Sequence, residues 1–206
     1  MHKHNLYKLL FSAVAGLMGT VLMSGPVTAL SYQTEVQPQF TFSESIQVEI
    51  TSTEKNLIIE DLVPGTNKTS NEIDVRVSTN SANGYTLTST AGDGTTYKST
   101  ALVNSEDSNK TFTSLATSDE ITDPANFGPG EWGFSYKQGS SDTWNDYSGL
   151  PSYLDPGKTI GETDAPSASG GDIYNFRIAA KASPIQASGT YNNVITFYAV
   201  SQNPAP

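Results

Sequence analysis

The sequence predicts an all-β chain folded as an antiparallel sandwich, and three observations carry that expectation. Apolar residues recur with a period of two: over residues 71–79, Ile73, Val75 and Val77 alternate with Asp74 and Arg76. Turn-forming pairs punctuate the apolar runs, with Pro64-Gly65 suited to a tight reversal and Asn83-Gly84 to a hairpin that needs positive φ. No segment sustains the 3.6-residue apolar stripe of an amphipathic helix.

In chain order, residues 1–29 read as a signal peptide. Lys3 and Lys8 form a basic head, 9–23 is apolar, and Val27-Thr28-Ala29 has the small-x-small form of a cleavage site. Ser12, Gly16, Gly19 and Thr20 interrupt that run. It falls short of the roughly 20 apolar residues a bilayer span needs, so no stable membrane span is expected after cleavage. Residues 30–206 are then expected to form a single β-sandwich domain. Strands are expected at 40–50, 56–62, 71–79, 84–90, 110–116, 131–137, 172–181 and 190–200, about eight in all. Short strands joined by such turns imply an immunoglobulin-like or jelly-roll arrangement. Three long connections remain, 91–109, 117–130 and 138–171. In the last, 139–157 gathers aromatic residues, whereas 158–172 is nearly featureless and expected to be mobile.

Composition excludes more than it suggests. The only histidines, His2 and His4, lie in the leader and the chain has no Cys. The mature protein therefore lacks the groups for Ser-His-Asp or Cys-His catalysis, for thiolate chemistry and for the usual zinc, copper and haem sites. Disulfides are excluded too, so the core alone must hold the fold. The formal charge of −10 becomes −12 once the two leader lysines are removed. Such a surface repels phosphate backbones, and no nucleic-acid partner is expected.

Among the sites that survive, a carboxylate pair is the remaining route to catalysis. Glu106, Asp107, Asp119, Glu120, Asp123, Asp142 and Asp146 all fall in expected loops, and no spacing singles out an acid and a nucleophile. The expectation is a protein that is not an enzyme and has no cofactor. Calcium is a possible guest of the oxygen-rich runs 105–109, 118–123 and 142–146, although none has the regular spacing of a calcium loop. A glycan would need an aromatic face with amides or carboxylates beside it. Trp132, Phe134 and Tyr136 share one face of an expected strand and read as core. The ligand-binding candidates are therefore Trp144, Asn145, Asp146, Tyr147 and Tyr153, which read either as a lid packed on the sandwich or as an exposed platform.

The run at 190–200 is apolar on both faces. Tyr191, Ile195, Phe197 and Ala199 lie on one, and Val194, Thr196, Tyr198 and Val200 on the other. Such a strand is central and covered, or exposed and awaiting a partner. The first case, with a partner strand near 40–50, is the expectation. In the second, Tyr191, Ile195, Phe197 and Tyr198 mark an assembly strand. Residues 188–204, "SGTYNNVITFYAVSQNP", resemble the terminal strand of bacterial envelope β-sandwiches: WxL-type wall-associated domains and, more loosely, spore-coat U and fimbrial subunits. Together with 57–90 the likeness covers about a third of the chain. It implies a secreted or cell-surface protein acting in adhesion through end loops, toward a cell-wall or host glycan or a surface protein. The alternative it implies is a structural subunit that self-associates by edge-strand addition. Phe197-Tyr198-Ala199 stands where a WxL domain carries Trp-x-Leu, so wall binding through that tripeptide is not implied.

Overall fold

A computed structural model describes residues 43–139 and 141–202; the leader expected at 1–29 and the opening of the 40–50 run lie outside them. Eleven strands and one turn of 3-10 helix follow in order: β1 (Ile46–Ile50), β2 (Asn67–Thr69), β3 (Ile73–Thr79), β4 (Tyr85–Ala91), β5 (Leu102–Asn104), β6 (Thr111–Ser114), the 3-10 turn (Pro124–Asn126), β7 (Glu131–Gln138), β8 (Lys158–Thr163), β9 (Asp172–Lys181), β10 (Tyr191–Asn192) and β11 (Ile195–Ser201). They form an all-β structure of two sheets. The larger, of eight strands, runs β1-β3-β9-β7-β6-β5-β10 with β2 also on β9, and curls into a half-barrel. The smaller runs β11-β4-β8.

Strand β9 is the hub. Its first half pairs with β3, Ile73 to Val77 opposite Phe176 to Asp172, and its second half pairs with β2. Between β2 and β3 the backbone N–H of Ser70 donates to the Ile178 carbonyl, and the Ile178 N–H donates to Ser70 Oγ. β2 and β3 are thus one strand interrupted for three residues. On the other edge β9 pairs with all of β7, Glu131 opposite Lys181 through Gln138 opposite Tyr174.

The alternation read at Ile73, Val75 and Val77 is met: all three are buried, with half-buried Asp74 and Arg76 between them. From the larger sheet Trp132, Phe134, Tyr174, Phe176 and Ile178 face Tyr85 and Leu87 of β4 across one core. Phe134 stacks on Phe176 with centroids 5.4 Å apart, and Phe197 of β11 meets Phe176 at 4.6 Å. Within this core the Tyr85 hydroxyl donates to Asp172 Oδ2 at 2.9 Å and lies 2.9 Å from the Tyr174 hydroxyl. Burial raises the pKa of both phenols above the ordinary tyrosine value. Asn83-Gly84 turns the chain into β4 with the expected positive φ but not as the expected hairpin, because β3 and β4 lie in different sheets. Gly84 has φ +74°, and a Cβ there would lie 2.0 Å from the Thr163 carbonyl oxygen, so only glycine fits.

The opposite face of β7 and β9 is covered as well, by a second cluster of Leu115, Phe127, Tyr147 and Ala179. Gly133 permits it. A Cβ there would lie 2.6 Å from Leu115 Cδ1 and 3.1 Å from the Phe127 ring. The second face is thereby covered at Gly133, Ser135 and Ala179, which explains why Gly133 and Ser135 are buried alongside Trp132 and Phe134, while Asn175 and Arg177 of the same face stay half-buried.

Several expectations are corrected. Residues 56–62 alternate like a strand and do send Leu57, Ile59 and Leu62 onto the core. Their backbone, however, is held by side chains rather than by a ladder. Ile58 N–H donates to Asn71 Oδ1, Asn71 Nδ2 to the Asn56 carbonyl and Lys68 Nζ to the Glu60 carbonyl. Residues 158–172 are not featureless: β8 forms there, with Ile160 buried beneath it. The 91–109 connection contains β5, and the 117–130 connection contains the 3-10 turn, capped by Asp123 Oδ1 accepting from the Ala125 N–H. β6 and β7 pair in parallel, an exception in a mostly antiparallel fold.

The closing run also differs from expectation. It breaks into β10 and β11 because Asn193 Nδ2 donates to the Ser99 and Ala101 carbonyls and Asn193 Oδ1 accepts from the Val194 N–H. The chain switches sheets at that point. The partner of β11 is β4, in register from Ile195 opposite Ala91 to Ser201 opposite Tyr85, rather than the 40–50 run.

Replacing Phe176 with Ala should remove the ring shared by Phe134 and Phe197 and destabilise the fold by about 3–5 kcal/mol. Chemical denaturation should show it as a lowered midpoint with an unchanged slope.

Candidate functional site

The five loop residues proposed for ligand contact separate into different environments. After Gln138 the chain turns back, and residues 145–148 run beside the second half of β7. Asn145 N–H and Nδ2 both donate to the Tyr136 carbonyl, Ser135 Oγ donates to the Asn145 carbonyl, and Phe134 and Ser148 exchange backbone hydrogen bonds. This ladder carries Tyr147 into the second cluster, where it is 2 % exposed and meets Phe127 edge-on at 5.6 Å. Trp144 stays partly exposed, with the Arg177 guanidinium 4.0 Å and Lys137 Nζ 4.9 Å from its ring centroid. Asn145 and Asp146 are exposed. Tyr153 packs elsewhere, beside Gly92 and Gly94, and its N–H donates to the Ala91 carbonyl.

Two of the oxygen-rich runs, 105–109 and 118–123, use carboxylates internally, whereas Asp142 and Asp146 of the third are exposed. Asp107 Oδ1 accepts from the N–H and Nδ2 of Asn109, which lowers its pKa; Asp119 Oδ2 accepts from the Ala116 N–H. Asp93 accepts from the N–H groups of Thr95, Thr96 and Tyr97, and the Tyr97 bond contributes most to holding its pKa below the ordinary aspartate value. Among the described residues no three acidic side chains converge on one point.

The closing strands build a different kind of surface. Tyr191 of β10 stands edge-on to Phe112 at 4.8 Å, and its hydroxyl donates to the Ala187 carbonyl while accepting from Gln186 Nε2. Ile195 and Phe197 point inward, half-buried, into a cleft of ≈ 1030 Å³. Its other walls are Leu57 and Ile59 from the strandless run, with Trp132 and Ile178 of the larger sheet behind. The cleft exists because three strands cover only part of an eight-stranded face.

Outward from the core, Tyr198 is 53 % and Val200 65 % exposed. β11 is a sheet edge: it pairs with β4 alone, and among the described residues no other backbone bonds its outer side. β1 is its neighbour across this side of the molecule, but the two do not pair.

No family model matches the chain, and no curated protein matches it.

Val200, placed with Tyr198 on the second apolar face of the run but not among the assembly residues Tyr191, Ile195, Phe197 and Tyr198, is the more exposed of the two outward residues. Sequence reasoning passed over a usable signal. After Lys181 no side chain up to Ser201 is charged, in a chain of net charge −10.

Two substitutions separate the roles of the aromatic loop. Tyr147→Ala should cost about 3–5 kcal/mol, the scale for deleting a buried aromatic side chain. Trp144→Ala should cost about 1 kcal/mol, the scale of a surface cation–π contact. Paired denaturation curves check the contrast.

Proposed function

We propose that this chain is an exported, non-enzymatic surface protein, a sandwich of immunoglobulin-like or jelly-roll kind, whose working part is the open edge of β11. The likeness of its closing segment to envelope β-sandwich proteins supports the location, and the single observation that carries the mechanism is the state of that edge. Natural sheets guard their edges with charge, proline, a bulge or a covering loop. Over Ile195–Ser201 β11 carries no charge and no proline, among the described residues its outer backbone is unpaired although β1 lies beside it, and it presents Tyr198 and Val200 outward. The other edge of the same sheet, β8, carries Lys158 and exposed Glu162. The protein acts by accepting an extended segment along β11, as a structural subunit of a surface assembly.

A second reading, glycan contact by the 144–153 loop, has one observation in its favour. Trp144 is partly exposed and has two cations over its ring. The burial of Tyr147 and the separate position of Tyr153 weaken it, since neither ring stands beside Trp144 as a platform.

Val200→Lys restores a guard on an exposed position without touching the core. Protein released from the producing cell's surface by mild detergent should elute above the monomer mass for the wild type and at the monomer mass for Val200→Lys. Equal elution of the two would overturn the strand-addition reading.

A further inference from the structure

This inference rests on the strand-addition reading and names its partner. We infer that the segment accepted by β11 is β11 of a second copy of this chain, running antiparallel about a twofold axis at Tyr198.

Charge is the first argument. A twofold contact uses the same patch on both subunits, so the patch must tolerate facing itself. Two copies of a chain at −12 repel over most of their surfaces. The segment from Ala182 to Ser201 contributes none of that repulsion, having no charged side chain. Every other long edge offers charge to its own copy. β1 carries Glu49, ion-paired with Arg76 of β3 at 3.1 Å, and β8 carries Lys158 and, four residues on, exposed Glu162. The β11 edge is therefore the long edge on which two copies meet with no charged side chain to desolvate or pair.

Register is the second argument, and it leaves no free choice. If all seven residues of Ile195–Ser201 pair with their own copy in antiparallel fashion, Ile195 faces Ser201, Thr196 faces Val200, Phe197 faces Ala199 and Tyr198 faces Tyr198. The outward stripe then consists of Thr196, Tyr198 and Val200 from each copy. That brings both exposed apolar residues of the strand into one cross-strand cluster with an aromatic pair at its centre. On the inner side the half-buried Phe197 and Ala199 meet their counterparts, which adds cover where the core is thinnest. The two three-stranded sheets merge into one of six, ordered β8-β4-β11-β11-β4-β8, and the backbone groups on the outer side of β11 acquire partners.

The natural chain has no cysteine, so a single introduced thiol reports on one position only. In the full mature protein, Tyr198→Cys treated with a short bifunctional maleimide should convert most of the chain to a covalent dimer. Glu162→Cys, on the other edge of the same sheet, should stay monomeric under the same treatment. Val200→Lys, placed opposite Thr196 of the partner, should raise the dissociation constant measured by sedimentation at least tenfold. Cross-linking of Tyr198→Cys no greater than that of Glu162→Cys overturns the self-pairing. If that happens while Val200→Lys still shrinks the complex released from cells, the acceptor strand serves a different partner and only the self-pairing falls. If Val200→Lys also leaves that complex unchanged, both readings fall together.

Discussion

Everything in this fold depends on the face that β9 turns to the core, where Tyr174, Phe176, Ile178 and Ala180 are buried; its other face is covered only around Ala179. A chain without disulfides must fix its sheets by burial alone, and burial is concentrated on the β7–β9 pair. Tyr174, Phe176 and Ile178 meet the smaller sheet on one side, and Ala179 meets Leu115, Phe127 and Tyr147 on the other. Each buried aromatic or aliphatic side chain contributes roughly 1.5–3 kcal/mol. The concentration of such residues on two strands makes the centre rigid and leaves the periphery to cheaper devices. Carboxylates cap loop N–H groups at Asp93, Asp107 and Asp123, and asparagines tie down runs that lack a strand partner.

The inequality of the two sheets follows from the same arrangement. Eight strands curl around a core that only three strands cover, so part of the larger sheet's inner face is roofed by residues 56–62 and by the β10–β11 crossover. The apolar cleft and the unguarded edge are therefore features of one side of the molecule. A protein that merely needed solubility would place charge there, as it does along β8. Leaving Tyr198 and Val200 uncovered in an otherwise strongly acidic chain is the pattern of a surface kept for contact.

Most of the strands were legible because their faces differ. Ile73, Val75 and Val77 announce one buried side, and the β7 and β9 aromatics announce another. What sequence could not supply was pairing. Residues 56–62 have strand-like alternation, yet Asn71 and Lys68 bond their backbone in place of a neighbour, and no period reveals that. β8 was hidden because its Lys, Thr, Gly and Glu suit an edge strand as well as a loop. The loop aromatics were legible as a group but not individually. Tyr147 is core because Asn145 and Ser148 ladder onto β7, a contact between residues about ten positions apart that composition does not encode. The 190–200 run was expected to be central and covered on both apolar faces, whereas it ends at a sheet edge with Tyr198 and Val200 exposed, a matter of position in the sheet that its own composition does not encode. Only the β4 register shows that the inward set is Ile195, Phe197 and Ala199.

The central claim is that β11 is held by its own domain on one edge and open on the other. Amide hydrogen exchange along Ile195–Ser201, followed as the mature protein is concentrated, tests it most directly. In an antiparallel edge strand alternate N–H groups face the partner. The account predicts that in dilute solution the amides directed at β4 are protected and those between them exchange freely. The second set should gain protection as concentration rises. Protection of both sets at the lowest concentration, or a second set that stays unprotected at the highest, would contradict it.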